Sequence, residues 1–208
     1  MIPFELLNIL DQYHDDELNI GVKSVLFENT TVRLVINIRS LDAVLNEDWL
    51  IKAVGVRENR IGFSYGGSID IEEDHPLLWK YKDTLSGLYF TGVCQDPVGL
   101  FFDMYQIHYS LYRTYISFED FLNINKFNKL FELEFGLLAK GPIKLLDQYA
   151  DCAKKYGLDV SIPDGRTPTY WNGSAHVPEG SNLKILLIGD TNTYIIAGDF
   201  HFEKVTNR

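Results

Sequence analysis

Sulfur is scarce in this chain: of its 208 residues, two are cysteine and two are methionine. Cys94 and Cys152 are isolated, with no CxxC and no second pair, so neither a zinc site nor a disulfide framework is indicated. Two reduced, partly buried thiols are expected. Long apolar runs are missing too. No stretch approaches the ~18 apolar residues of a membrane helix. The amino terminus, Met1-Ile2-Pro3-Phe4-Glu5 with Asp11 close behind, lacks the basic region and apolar run of a secretory signal. The expected location is the cytoplasm. Positive charge is also short, with 19 Lys and Arg against 29 Asp and Glu and a formal charge of −10. Nucleic-acid backbones and anionic membranes are bound by clustered bases, so this balance argues against both as partners.

Catalytic templates are the last absence. The chain has no Walker loop, HExxH, GxGxxG or kinase set. Carboxylate pairs are plentiful, but among 29 acids they arise by number and locate no acid–base chemistry. No catalytic residue, metal or cofactor is therefore assigned, and the expectation leans against an enzyme.

What is present suffices for a folded core. Apolar residues make up 46% and charged ones 23%, so burial can offset chain entropy. Thirteen Phe and twelve Tyr supply rigid rings for packing or for contact. One domain over 1–208 is expected. It divides into a sheet-rich part (1–83), a helical part (84–160), a long loop (161–182) and a closing hairpin (183–205). The acid excess is uneven: residues 1–83 carry 15 acids and 8 bases, the rest 14 and 11.

The order of elements points to an α+β fold. Phe4, Leu6, Leu7, Leu10 and Tyr13 follow Pro3 at helical spacing, predicting a helix over 3–14. Asp15, Asp16 and Glu17 sit unfavourably at its end if they lie in the last turn. Short Val- and Ile-rich runs then predict an antiparallel meander with strands 20–28, 31–39, 49–56 and 60–65, and a fifth through Ser68–Glu72. Asp96-Pro97 starts a helix to residue 113. Its stripe of Val98, Phe101, Phe102, Tyr105, Tyr109 and Tyr112 is backed by Leu100, Met104, Ile107 and Leu111, so it reads as the most buried helix. A polar arc of Asp103, Gln106, Ser110 and Arg113 either lines an internal cavity or is its one wet side. Ser117 begins a further helix with Asp120 as a shortened capping box, Leu130–Leu138 reads as helix, and Ile143 to Gly157 as another. Leu183–Ile188, a turn at Gly189–Asn192 and Thr193–Val205 form the carboxy-terminal hairpin.

Two places carry candidate binding residues. Asp70 and Glu72 share one face of the fifth strand, opposite Ile69 and Ile71, and with Glu73, Asp74 and His75 form the densest cluster of ionisable groups. Successive strand residues diverge, which disfavours a metal site, whereas an acidic patch suits a basic protein partner. A charged sheet edge that discourages aggregation is the plain alternative. The 161–182 loop is longer than compact domains usually carry and holds Tyr170, Trp171 and His176. Trp171 is either a ring folded back to plug the core, the favoured reading, or an exposed anchor for a partner. His108 lies at the margin of the apolar stripe and reads as a hydrogen-bonded core residue.

Small size, strong acidity, many aromatics and no catalytic signature are similar, in composition alone, to bacterial inhibitor or immunity proteins that neutralise basic nucleases; no motif carries the likeness. The leading expectation is an acidic, non-enzymatic protein-binding module with a basic partner. Its rival is an enzyme or small-ligand receptor with a pocket under the 161–182 loop.

Overall fold

The structure, a computed structural model, describes residues 2–14, 16–63, 65–123, 133–171, 173–189 and 193–206. After α1 (Phe4–Gln12) come β1 (Leu18–Glu28), β2 (Thr31–Ser40), β3 (Asn46–Val54), β4 (Glu58–Arg60), β5 (Tyr65–Gly66) and β6 (Ile69–Glu72). Next are α2 (Pro76–Lys82), β7 (Leu85–Thr91), α3 (Pro97–Tyr112), β8 (Phe135–Pro142), α4 (Ile143–Lys155), β9 (Asp159–Ser161), β10 (Thr169–Trp171) and β11 (His176–Pro178). The chain closes with β12 (Lys184–Ile188), β13 (Thr193–Ala197) and β14 (Asp199–Lys204). The fold is α+β with antiparallel sheets, and no described helix is long and apolar enough to cross a membrane. The elements group into two compact units, Met1–His75 with Asn182–Arg208, and Pro76–Ser181.

The first unit is built on the first three strands of the expected meander; the strand expected at 60–65 is instead β4 at Glu58–Arg60, and β4 and β6 join a second sheet with the carboxy-terminal hairpin. β1, β2 and β3 pair in series, and Asn29, at φ 52°, makes the tight turn between the first two in a left-handed conformation that asparagine tolerates. On β2, Val32, Leu34, Ile36 and Ile38 are buried while Arg33 and Arg39 between them are exposed. The carboxy-terminal hairpin both extends this sheet and builds a second. β14 pairs with β3 from Asp199↔Val54 to Lys204↔Trp49, giving the order β14-β3-β2-β1-β5. β12 and β13 form the centre of a second sheet, β4-β13-β12-β6. Inward side chains of both sheets meet Leu6 of α1 in one core that includes Ile20, Ile36, Trp49, Ile69, Leu186 and Ile195. α1 ends at Gln12, so Asp16 and Glu17 lie beyond its last turn, and the Glu17 carboxylate accepts the His14 backbone N–H at 3.0 Å. Asp15 and the turn residues 190–192 lie outside the described residues.

In the second unit, β8-β7-β9 form a three-stranded sheet on which α4 packs, and α3 packs against α4. The Asp96 side chain accepts the Gly99 N–H at 3.0 Å with Pro97 at the first helical position, so α3 starts as expected. Its burial corrects the sequence reading. α3 buries only a ridge of Leu100, Met104, His108 and Tyr112 at four-residue spacing. Val98, Phe102, Tyr105 and Tyr109 are exposed. The apolar circumference comes from rings on the solvent side, and α4, which buries Leu145, Leu146, Tyr149, Ala150, Cys152 and Ala153, is the more buried helix.

Three further expectations are corrected. Ser117 starts a single 3-10 turn, Phe118–Asp120, and its side chain makes no cap bond. The helix expected at 130–138 is strand from Phe135 onward, because pairing with β7, a partner missed in the sequence, overrides local spacing; residues 130–132 lie outside the described residues. The 161–182 segment is not structureless: β10 and β11 pair within it, and Arg166 exchanges backbone hydrogen bonds of 3.0 Å with Leu85.

Candidate functional site

β6 carries the acidic candidates. It is the outer strand of its sheet, and among the described residues no strand pairs with its far edge. The register Ile69↔Ile188 and Ile71↔Leu186 turns both isoleucines toward the core, and Asp70↔Leu187 and Glu72↔Ile185 turn both carboxylates to the opposite face. Glu72 thus stands against the fully buried Ile185. Burial first, then the charges of Asp70 and Asp74, push its carboxyl above the ordinary range. The structure therefore brings Asp70, Glu72 and Asp74 close enough to repel one another. Asp74 pulls the neighbouring His75 upward, but burial dominates and leaves that imidazole below its ordinary value.

On the isoleucine face a cleft of about 300 Å³ opens beside β6. Its apolar lining includes Leu7, Ile71 and Phe200, and its charged lining is Glu73, Lys184 and Asp199. Lys184 Nζ lies 2.8 Å from Glu73 Oε1, and Asp199 adds its charge from nearby, so two carboxylates compete for one ammonium. Sequence reading missed Leu7, Lys184, Asp199 and Phe200. They come from α1, β12 and β14, and only the strand register reveals that they converge.

Of the acids in 11–17, Glu17 lies elsewhere, by a cleft whose lining includes Tyr13, Leu41 and Asp42 and which shares no residue with the β6 cleft. Acidity does not cover the whole unit. The outward face of the meander carries Arg33, Arg39 and Lys52, all exposed, and Lys23 is paired to Asp48 at 2.7 Å.

In the second unit, Tyr170, Trp171 and His176 are brought together on the β10–β11 hairpin. Trp171 lies directly opposite His176, with ring centroids 5.3 Å apart in a T-shaped arrangement. At 59% exposed, Trp171 is not a core plug, which corrects the favoured sequence reading. A two-stranded ribbon has no second layer over its outer face, so Trp171 stays in solvent. The clefts at β6, at 11–17, at Lys23/Asp48 and at Phe121 take no lining residue from 161–182.

The remaining candidates are structural. His108 is 1% exposed and sits in an aromatic cage of Tyr112, Phe118 and Phe121. Both cysteines are free and buried, and burial raises each thiol. Among the described residues no group of His, Cys, Asp and Glu is arranged to hold a metal. Compared with protein-family models, with curated proteins and with solved structures, the chain shows no match, so any functional reading rests on this geometry.

Proposed function

We propose that the chain is a non-enzymatic, acidic protein-binding module that receives a basic protein partner along β6. One observation carries the reading: Asp70 and Glu72 share one face of β6, the outer strand of its sheet, with Asp74 just beyond, and burial first and then these neighbouring charges raise the Glu72 carboxyl. Retained repulsion of this kind costs stability, and a cationic partner relieves it. Net charge adds long-range steering toward bases, which is strong at low salt and short-ranged once the screening length falls to ~3 Å at 1 M. An inhibitor or immunity-type role toward a basic enzyme fits this surface.

The test is binding of Lys- and Arg-rich proteins and peptides at rising ionic strength. Affinity should fall steeply with salt, and Asp70→Asn/Glu72→Gln/Asp74→Asn should abolish it. Neutralising three acids elsewhere, Glu28, Glu119 and Asp151, should leave most of it. Equal losses from both triple variants would replace a β6 site with a diffuse charge effect.

A further inference from the structure

We infer that the partner contributes an extended segment that adds as a fifth strand to β6, with apolar and basic residues in strict alternation. The inference rests on the β6 binding reading above and names the shape and pattern of what binds there.

β6 is the last strand in the order β4-β13-β12-β6, so one of its edges has no strand partner among the described residues. Such an edge presents main-chain N–H and C=O groups at strand spacing, which another chain can satisfy by pairing. A strand added there inherits the pleat of β6. Residues opposite Ile69 and Ile71 project to the isoleucine face, and residues opposite Asp70 and Glu72 project to the carboxylate face. The two faces ask for different chemistry. On the first, the cleft beside Ile71 offers Leu7 and Phe200 as apolar walls. On the second, the crowded carboxylates call for Lys or Arg, whose cross-strand Cβ distance of ~5 Å is within salt-bridge reach. Charge complementarity selects a cationic strand over a second copy of this chain, because pairing β6 with itself would set Asp70 and Glu72 against the same carboxylates.

Three peptides test this by fluorescence anisotropy at low salt on the full chain. The first alternates Val or Ile with Lys, the second has the same composition with lysines blocked together, and the third is the first with alternate backbone amides N-methylated on one edge. Strand addition predicts that the alternating peptide binds at least about tenfold tighter than the blocked one, and that methylation of the pairing edge costs about tenfold for each bond lost. Ile71→Ser should weaken the alternating peptide and leave the blocked one unchanged. Equal binding of all three, still abolished by the Asp70, Glu72 and Asp74 substitutions, would overturn strand addition while the basic-partner reading stands. Absence of binding by any of them, together with basic proteins binding as well to the β6 triple variant as to wild type, would overturn both and leave β6 as an edge guarded against aggregation.

Discussion

Replacing His108 with phenylalanine should cost about 2–4 kcal/mol at neutral pH and flatten the acid side of the stability profile. His108 Nε2 lies 2.8 Å from the Ile116 carbonyl oxygen, and Nδ1 lies 3.4 Å from Tyr149 Oη. A carbonyl only accepts, so Nε2 carries the proton; Nδ1 is then a lone pair, and the Tyr149 hydroxyl donates to it. Phenylalanine keeps the ring stacking but removes both bonds. Tyr149 is fully buried, so its stranded hydroxyl costs ~1–3 kcal/mol, and the bond to the half-buried Ile116 adds ~0.5–1.5. That is a large part of the 5–15 kcal/mol that typically holds a domain. Burial also holds the His108 pKa below its ordinary 6.5, outweighing the Ile116 bond and the Asp120 charge, which raise it. The unfolded chain therefore takes up a proton at higher pH than the native one, and wild-type stability falls as pH drops from 6.5 toward the lowered native value. Urea melts at pH 7.5 and pH 5 should show the gap between wild type and His108→Phe narrowing in acid. Adding Tyr149→Phe removes the stranded donor, so the double variant should be more stable than the single one. A gap that stays constant or widens in acid, or a double variant weaker than His108→Phe, would refute this network.

Trp171→Ala should shift the melting temperature by no more than a few degrees, since a largely exposed ring loses little burial; it should also remove a large part of the iodide-quenchable tryptophan fluorescence, because Trp49 is 2% exposed and Trp79 is half-buried. A loss of ~3–5 kcal/mol would restore the core-plug reading. Glu72→Gln should raise the melting temperature at pH 7 with no effect below pH 4. The native carboxyl holds its proton above the unfolded value of 4.5, so wild-type stability falls as pH rises through that window. A melting curve lowered by the amide at pH 7 would mean that Glu72 is stabilised by a partner rather than strained by its neighbours.

The order of elements was legible because it is written in local signals. Period-two alternation in Val32–Ile38, the Asp96-Pro97 start and the spacing of Ile143, Leu146, Ala150 and Ala153 each identify an element without reference to the rest of the chain. What escaped depends on partners. β7 reads weakly by itself, since Ser86 and Gly87 interrupt its pattern and only Leu88 and Phe90 are buried. Without β7 there was no reason to read Phe135–Pro142 as strand. α3 failed for a different reason: periodicity reports which residues share a face, but tyrosine and phenylalanine are apolar on either a wet or a dry face, so the pattern cannot say which is covered.

The candidate site divides along the same line. That Asp70 and Glu72 share a face follows from the pleat alone, and the structure places them as alternation requires. Whether that face is inside a sheet or at its border depends on which strand lies beside β6. The answer, β12, comes from a segment more than a hundred residues away. The edge position decides the chemistry. The same carboxylates on a central strand would have cross-strand neighbours on both sides and no room for a ligand, whereas at the border one flank is available. Glu72 is held against Ile185, where burial first and then the charges of Asp70 and Asp74 disfavour its ionised form, whereas a solvated edge needs only scattered charge to resist aggregation. On the proposed reading, a basic partner would remove the cost that burial and its neighbours place on the Glu72 carboxylate in the free state, and the Glu72→Gln melt and the alternating-peptide titration measure the two sides of that exchange separately.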